Sequence, residues 1–157
     1  NEVPEKTKGY EGFYMLTSIS GEVDKAKLSY ILRDFDLDGL NQRKAKIEEI
    51  TKTLQQKYGE DRIIVEIKDS YYNMKEKIEP VMYIIDLAKK AMKDADIEPK
   101  IVPIRGGTDG ARISYMGIPT PNLFTGGYNF HGYYEYAVAE EMEKAKEVII
   151  NIVKNNK

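Results

Sequence analysis

The single histidine of this 157-residue chain, His131, stands in Gly126-Gly127-Tyr128-Asn129-Phe130-His131-Gly132. A lone histidine is more often structural or exposed than a metal ligand. Its setting favours ligation, since glycine-rich loops that follow a strand of an α/β sheet are where ligand sites collect. Glu135, four residues on, is spaced to orient the imidazole from behind. Tyr128, Asn129 and loop N–H groups such as that of Gly127 are suited to binding polar substrate.

A second segment, Arg105-Gly106-Gly107-Thr108-Asp109-Gly110, lies where a strand hands over to a helix. Gly106 and Gly107 free the backbone for a tight turn, and Thr108 or Asp109 can cap the helix. The unpaired N–H groups of that helix start, with Arg105, suit a carboxylate or an oxyanion. A plain strand–helix turn fits the spacing equally well. It matches neither a Walker phosphate loop nor a dinucleotide fingerprint. Arg33 sits mid-strand beside Asp34. It is either half of a surface ion pair, which spacing alone favours, or a guanidinium held on a strand to grip a carboxylate by two prongs. Asp69-Ser70-Tyr71-Tyr72-Asn73 reads as a hinge or as a polar linker with aromatic anchors.

The elements that must position these residues fall into two stretches. Phe13–Ile19, rich in aromatic, Leu and Thr residues, and Lys27–Asp34, which alternates, read as strands joined by a turn that begins at Gly21, an antiparallel hairpin. A charged helix runs from about Asp38 to Tyr58, with Leu40, Ile47, Ile50 and Leu54 at helical spacing and a stop near Gly59. Arg62–Ile67 alternates as a third strand. A ferredoxin-like unit runs strand–helix–strand–strand–helix–strand, so this order lacks the first strand and helix. Beyond Met74 the rhythm becomes helix–strand–helix–strand–helix, one end of an α/β sheet. Its parts are a stripe of Val81, Ile84, Ile85, Ala88, Ala91, Met92 and Ala95, a strand Lys100–Ile104, a helix Asp109 to about Met116, a strand Ile118–Phe124, and a helix from about Tyr136 to Val153. The last helix carries Val138, Met142, Ala145, Ile149 and Ile152 on one face. The fold class is thus α+β, then α/β, divided into residues 1–73 and 74–157.

Forty-one per cent hydrophobic and 32% charged residues describe a globular chain with enough apolar material for a core. A net charge of −2 gives no electrostatic case for nucleic acid. The basic run Arg43-Lys44-Ala45-Lys46 is followed at once by Glu48 and Glu49, a solvated helix face. Absence of cysteine excludes disulfides, thiolate metal sites and cysteine nucleophiles, and it accords with a reducing cytoplasm. No apolar run approaches the ~20 residues of a membrane helix. The chain opens Asn1-Glu2-Val3-Pro4 without an initiator Met, and we expect a longer parent polypeptide.

Several segments taken together resemble the peptidase T type of the M20 metallopeptidase family, which are tripeptide aminopeptidases. They are Glu11-Gly12-Phe13-Tyr14, Tyr30-Ile31-Leu32-Arg33-Asp34-Phe35-Asp36, Asp69-Ser70-Tyr71-Tyr72-Asn73-Met74, Ile104-Arg105-Gly106-Gly107-Thr108-Asp109-Gly110-Ala111 and Pro121-Asn122-Leu123-Phe124-Thr125-Gly126-Gly127-Tyr128-Asn129-Phe130-His131-Gly132. They run in order from near Gly9 to the last helix. The resemblance implies a cytoplasmic homodimer with two zinc ions per subunit, in which a ferredoxin-like lid interrupts a catalytic α/β domain. Residues 1–73 would then be part of the lid, and 74–157 would close the catalytic domain. His131 would be a zinc ligand. Arg33 and Arg105 would hold the substrate's C-terminal carboxylate, the Gly106-Gly107-Thr108-Asp109 turn would shape the pocket, and Glu135 would support the histidine.

The remaining zinc ligands and the glutamate base lie upstream in such enzymes, so the N-terminal half of the same polypeptide becomes an implied partner. The chain alone is expected to be inactive, because a catalytic zinc needs about three protein ligands. The alternative reading is a non-catalytic module that binds peptide carboxylates or mediates dimerisation. Micromolar tripeptide binding by the chain without metal would favour it. A three-stranded remnant with an open sheet edge argues against it.

Overall fold

The computed structural model describes residues 2–156. Mixed helices and, among the described residues, two small antiparallel sheets make the fold α+β. The chain forms two compact units, Asn1–Asn73 with Pro103–Gly107, and Met74–Val102 with Thr108–Lys157.

In the first unit, β1 (Phe13–Gly21) pairs antiparallel with β2 (Ala26–Arg33). The ladder starts from Phe13 opposite Arg33 and shifts register between Leu16 and Ser18, a local irregularity of the bulge kind. α1 (Leu37–Tyr58) follows. Asp36 caps it by accepting the Asp38 N–H at 3.1 Å, and Gly59 ends it at φ +107°, a region open to glycine. The expected stripe of α1 is only partly covered: Leu40 and Ile47 are half-buried, whereas Ile50 and Leu54 are exposed.

In the second unit, a short α2 (Lys75–Ile78) and a 3-10 turn lead into α3 (Tyr83–Lys93), and α4 (Asp109–Tyr115) follows. A two-residue ladder joins β3 (Gly127–Tyr128) to β4 (Tyr136–Ala137), ahead of α5 (Ala139–Asn155). The core lies between α3 and α5, where Ala91, Ala95 and Val148 are buried with Met92, Ile97, Phe124 and Ile152 packed around them. Small residues on α3 let the α5 backbone come close, and Val148 fills the space. The apolar face of α5 is rotated from the expected one. Val148 is inside, whereas Met142 and Ile149 face outward. α5 also begins three residues later than the spacing suggests, because Tyr136 and Ala137 pair with β3 instead.

Three segments expected as strands, Arg62–Ile67, Lys100–Ile104 and Ile118–Phe124, form no ladder among the described residues. Alternation shows that a segment has two faces, but a strand also needs a neighbour's N–H and C=O groups. Gln55 Nε2 donating to the Ile63 carbonyl at 2.8 Å is what ties down the first of them.

Candidate functional site

Arg33 ends β2 and is half-buried. Its Nη1 donates to the Arg105 carbonyl at 3.1 Å, and its guanidinium lies over the Tyr71 ring, 5.7 Å from the centroid. These contacts leave further donors of the fork without a protein partner among the described residues.

Arg105 is used differently. Its Nη1 and Nη2 donate to the carbonyls of Pro4, Thr7 and Glu11 and to the Thr7 hydroxyl, and its Cζ sits 5.0 Å from the centre of the buried Phe13 ring. Its Nε is buried without an acceptor among the described residues. The guanidinium is therefore a strut that holds residues 4–11 against β1, and it is the Arg105 carbonyl that faces Arg33. Gly106 has open space around it, whereas a Cβ on Gly107 would stand 1.8 Å from the Tyr71 hydroxyl oxygen. Only the second glycine of the pair is demanded by packing.

The strand end carrying Arg33 is locked by its neighbour. Arg43 Nε donates to Asp34 Oδ2 at 2.9 Å, Arg43 Nη2 reaches Glu2 at 3.2 Å, and the guanidinium lies over Tyr14 at 5.0 Å. Burial works against the Arg43 charge, but the Glu2 and Asp34 acceptors outweigh it and leave its pKa raised. Gly12 and Gly39 make room for this pair, since a Cβ would come within 2.2 Å and 2.6 Å of Asp34 Oδ2 respectively.

In the second unit Thr108 is the cap of α4, its Oγ1 accepting from Ala111 N at 3.4 Å and from Asn122 Nδ2 at 3.3 Å. Asp109 is the first helical residue. Gly110 is buried, and a Cβ there would lie 2.5 Å from the Thr120 carbonyl.

The loop between β3 and β4 holds the remaining candidates. Tyr128 and Tyr136 stack at 5.2 Å, and the Tyr128 hydroxyl bonds both oxygens of Glu141 at 2.7 and 2.8 Å, which raises its pKa. Gly127 pairs with Ala137 at the ladder's base. At the tip, Asn129 and His131 hold φ of +54° and +65°, a left-handed conformation that side chains rarely adopt. Two bonds oppose the strain: Asn129 Nδ2 to the Tyr134 carbonyl at 3.1 Å, and the His131 backbone N–H to Glu135 Oε2 at 2.8 Å. Glu135 thus grips the main chain of His131, where the spacing suggested its ring. The imidazole is carried on an exposed tip.

Comparison with known proteins decides the relationship. A protein named Peptidase T from Geobacillus kaustophilus (strain HTA426) is 61% identical over 154 residues, 98% of this chain. Another, from Clostridium perfringens (strain 13 / Type A), is 62% identical over the same span, and one from Bacillus cereus (strain B4264) is 57% identical over 153 residues. Over nearly its whole length the chain is similar to a part of each of these proteins. It spans about two fifths (37–38%) of the length of these relatives. No family model matches it.

Against that relationship, the first unit brings Arg33 and Arg105 together with Gly106 and Gly107, and the second holds Thr108, Asp109, Gly127, Tyr128, Asn129, His131 and Glu135. No group of three or more His, Asp or Glu side chains able to hold a metal ion occurs among the described residues. The residues present therefore do not by themselves fit a zinc site. Sequence reasoning passed over Tyr71, Asn122 and Glu141 as contacts of the site residues. Tyr71 lay within a recognised segment, but nothing in its spacing signals a partner at Arg33. No helix of the described residues is long and apolar enough to cross a membrane.

Proposed function

We propose that the chain is the C-terminal portion of a di-zinc aminotripeptidase of the M20 family, in which Arg33 binds the C-terminal carboxylate of the peptide. The observation that carries this reading is the state of Arg33: a half-buried guanidinium, fixed by one carbonyl and one aromatic face, with donors to spare. Such a fork matches a carboxylate with two parallel N–H bonds. Relatives named Peptidase T supply the substrate class, a peptide.

Residues 1–73 then belong to a ferredoxin-like lid and 74–157 to the catalytic domain of a cytoplasmic homodimer. Arg105 positions Arg33 through its carbonyl, Thr108 and Asp109 begin the helix beside the turn, and Gly127, Tyr128 and Asn129 shape the loop that presents His131. His131 is the one residue of this chain proposed as a zinc ligand, and the metal would supply Lewis-acid chemistry there. Alone, the chain is inactive in this reading.

The test uses the full-length protein that contains these residues. Arg33→Ala should lower kcat/KM for a tripeptide by ~10- to 150-fold, the worth of a charge-assisted hydrogen bond, and leave hydrolysis of its C-terminal amide little changed. His131→Ala should abolish hydrolysis of both with the fold intact. Normal turnover by either variant on the free tripeptide would overturn the reading.

A further inference from the structure

We propose that Tyr71 is a positioning residue that sets specificity for a free C-terminal carboxylate, by fixing the plane of the Arg33 guanidinium. The inference rests on the reading of Arg33 given above and adds a residue that reading does not need.

A flexible arginine loses much of its affinity for a carboxylate to side-chain entropy, and a fork already held in one plane loses less. Arg33 is held on two sides. The Arg105 carbonyl takes Nη1 at 3.1 Å, and the Tyr71 ring lies under the guanidinium at 5.7 Å, inside the ~6 Å reach of a cation–π contact. A ring can set a plane only if it is itself immobile. The Gly107 backbone abuts its phenol edge so closely that a Cβ would stand 1.8 Å from the hydroxyl oxygen and 2.5 Å from Cζ.

The segment carrying Tyr71 is also pinned. Asp69 pairs with Lys44 of α1 and accepts from the Tyr72 hydroxyl at 2.8 Å, and Asn73 Nδ2 donates to the Phe35 carbonyl at 3.1 Å. What reads in the sequence as a linker is therefore fastened on both sides of Tyr71, and all of these contacts lie within one compact unit. Ring, carbonyl and glycine together form a seat for one guanidinium whose open edge is left for an anion.

The experiment measures kcat/KM of the full-length protein for a tripeptide with a free C-terminus and for its C-terminal amide, and follows their ratio. Tyr71→Leu should lower the ratio by ~5- to 30-fold, the range of a partly desolvated cation–π contact, with the loss in KM for the free acid. Tyr71→Phe, which keeps the ring, should restore it. Gly107→Ala should lower the ratio by displacing the ring, and should add little in a Tyr71→Leu background, where the clashing hydroxyl is gone. This pair also covers the case in which Tyr71→Leu alone folds poorly. A ratio unchanged by Tyr71→Leu, or lost equally with Tyr71→Phe, overturns the role of the ring while Arg33→Ala still lowers the ratio. If Arg33→Ala leaves the ratio intact, the carboxylate reading itself has failed.

Discussion

Replacing Asp34 by Asn should destabilise the first unit by about 2–4 kcal/mol, close to the cost of leaving one member of a buried pair alone. Asn keeps the shape of the side chain and an oxygen for the Asp36 N–H that Asp34 Oδ1 accepts at 3.2 Å, so the change isolates the charge. Both side chains of the Asp34–Arg43 pair are only 12% exposed, at 2.9 Å. At an effective dielectric constant of 20 and a charge separation of ~4 Å, the gross attraction is about 4 kcal/mol. Desolvation cancels part of it in the intact pair. Once Asp34 is neutral, Arg43 retains its burial with the more exposed Glu2, at 3.2 Å, as its one anionic partner among the described residues. Urea unfolding of the 157-residue chain, followed by circular dichroism, reads the loss. Glu49→Gln is the control, since its pair with Lys46 is solvent-exposed and worth less than about 0.5 kcal/mol. Gly12→Ala should cost a similar amount to Asp34→Asn, because its Cβ and Asp34 Oδ2 would need the same space. An Asp34→Asn variant as stable as Glu49→Gln would refute the reasoning and leave the Asp34–Arg43 pair worth no more than a surface one.

Three further outcomes are expected. Val148→Ala removes two buried carbons from a fully covered site and should cost about 2–3 kcal/mol by urea titration, against under about 0.5 for Val153→Ala, which is 70% exposed; equal losses would displace the core from the α3–α5 contact. Gly110→Ala should destabilise the second unit by roughly 1–3 kcal/mol despite alanine's better helix propensity, since the new Cβ meets a backbone carbonyl at 2.5 Å; a gain in thermal midpoint would show that the turn relaxes freely. Asp94 has its carboxyl pKa lowered by Asn155 first and Lys90 second. A depressed folded value means stability present above the ordinary aspartate pKa of about 3.9 and lost as pH falls through the folded one. Asp94→Asn should thus flatten the fall of the thermal midpoint between about pH 5 and pH 2.5, and an unchanged slope would contradict it.

Arginine use separates what could be read from the chain and what could not. Arg33 and Arg105 are equivalent as letters, each next to residues suited to a carboxylate site. The structure gives Arg105 acceptors on Thr7, 98 positions away in sequence, and Arg33 a carbonyl 72 positions away. Which guanidinium keeps free donors depends on those distant partners, and no local pattern encodes it. The same holds for Tyr71, whose value comes from what stands on either side of it. Glu135 is an intermediate case. Its spacing suggested a partner for the His131 ring, whereas the backbone turn at φ +65° brings the amide to the carboxylate.

By itself the sequence determined the hairpin, the limits of α1 and α4 to within about a residue of their caps, and the relationship to peptidase T. Helix bonds run from each N–H to the carbonyl four residues back, and caps such as Asp36, Thr108 and Gly59 act within one turn, so their signals are local. The tertiary structure alone decided that Arg62–Ile67, Lys100–Ile104 and Ile118–Phe124 stay unpaired among the described residues, that Val148 is the inward side chain of α5, and that Arg33 keeps more unused donors than Arg105 does. Each of those depends on groups far along the chain arriving at one place, and a strand, a buried face or a free donor is defined by what arrives.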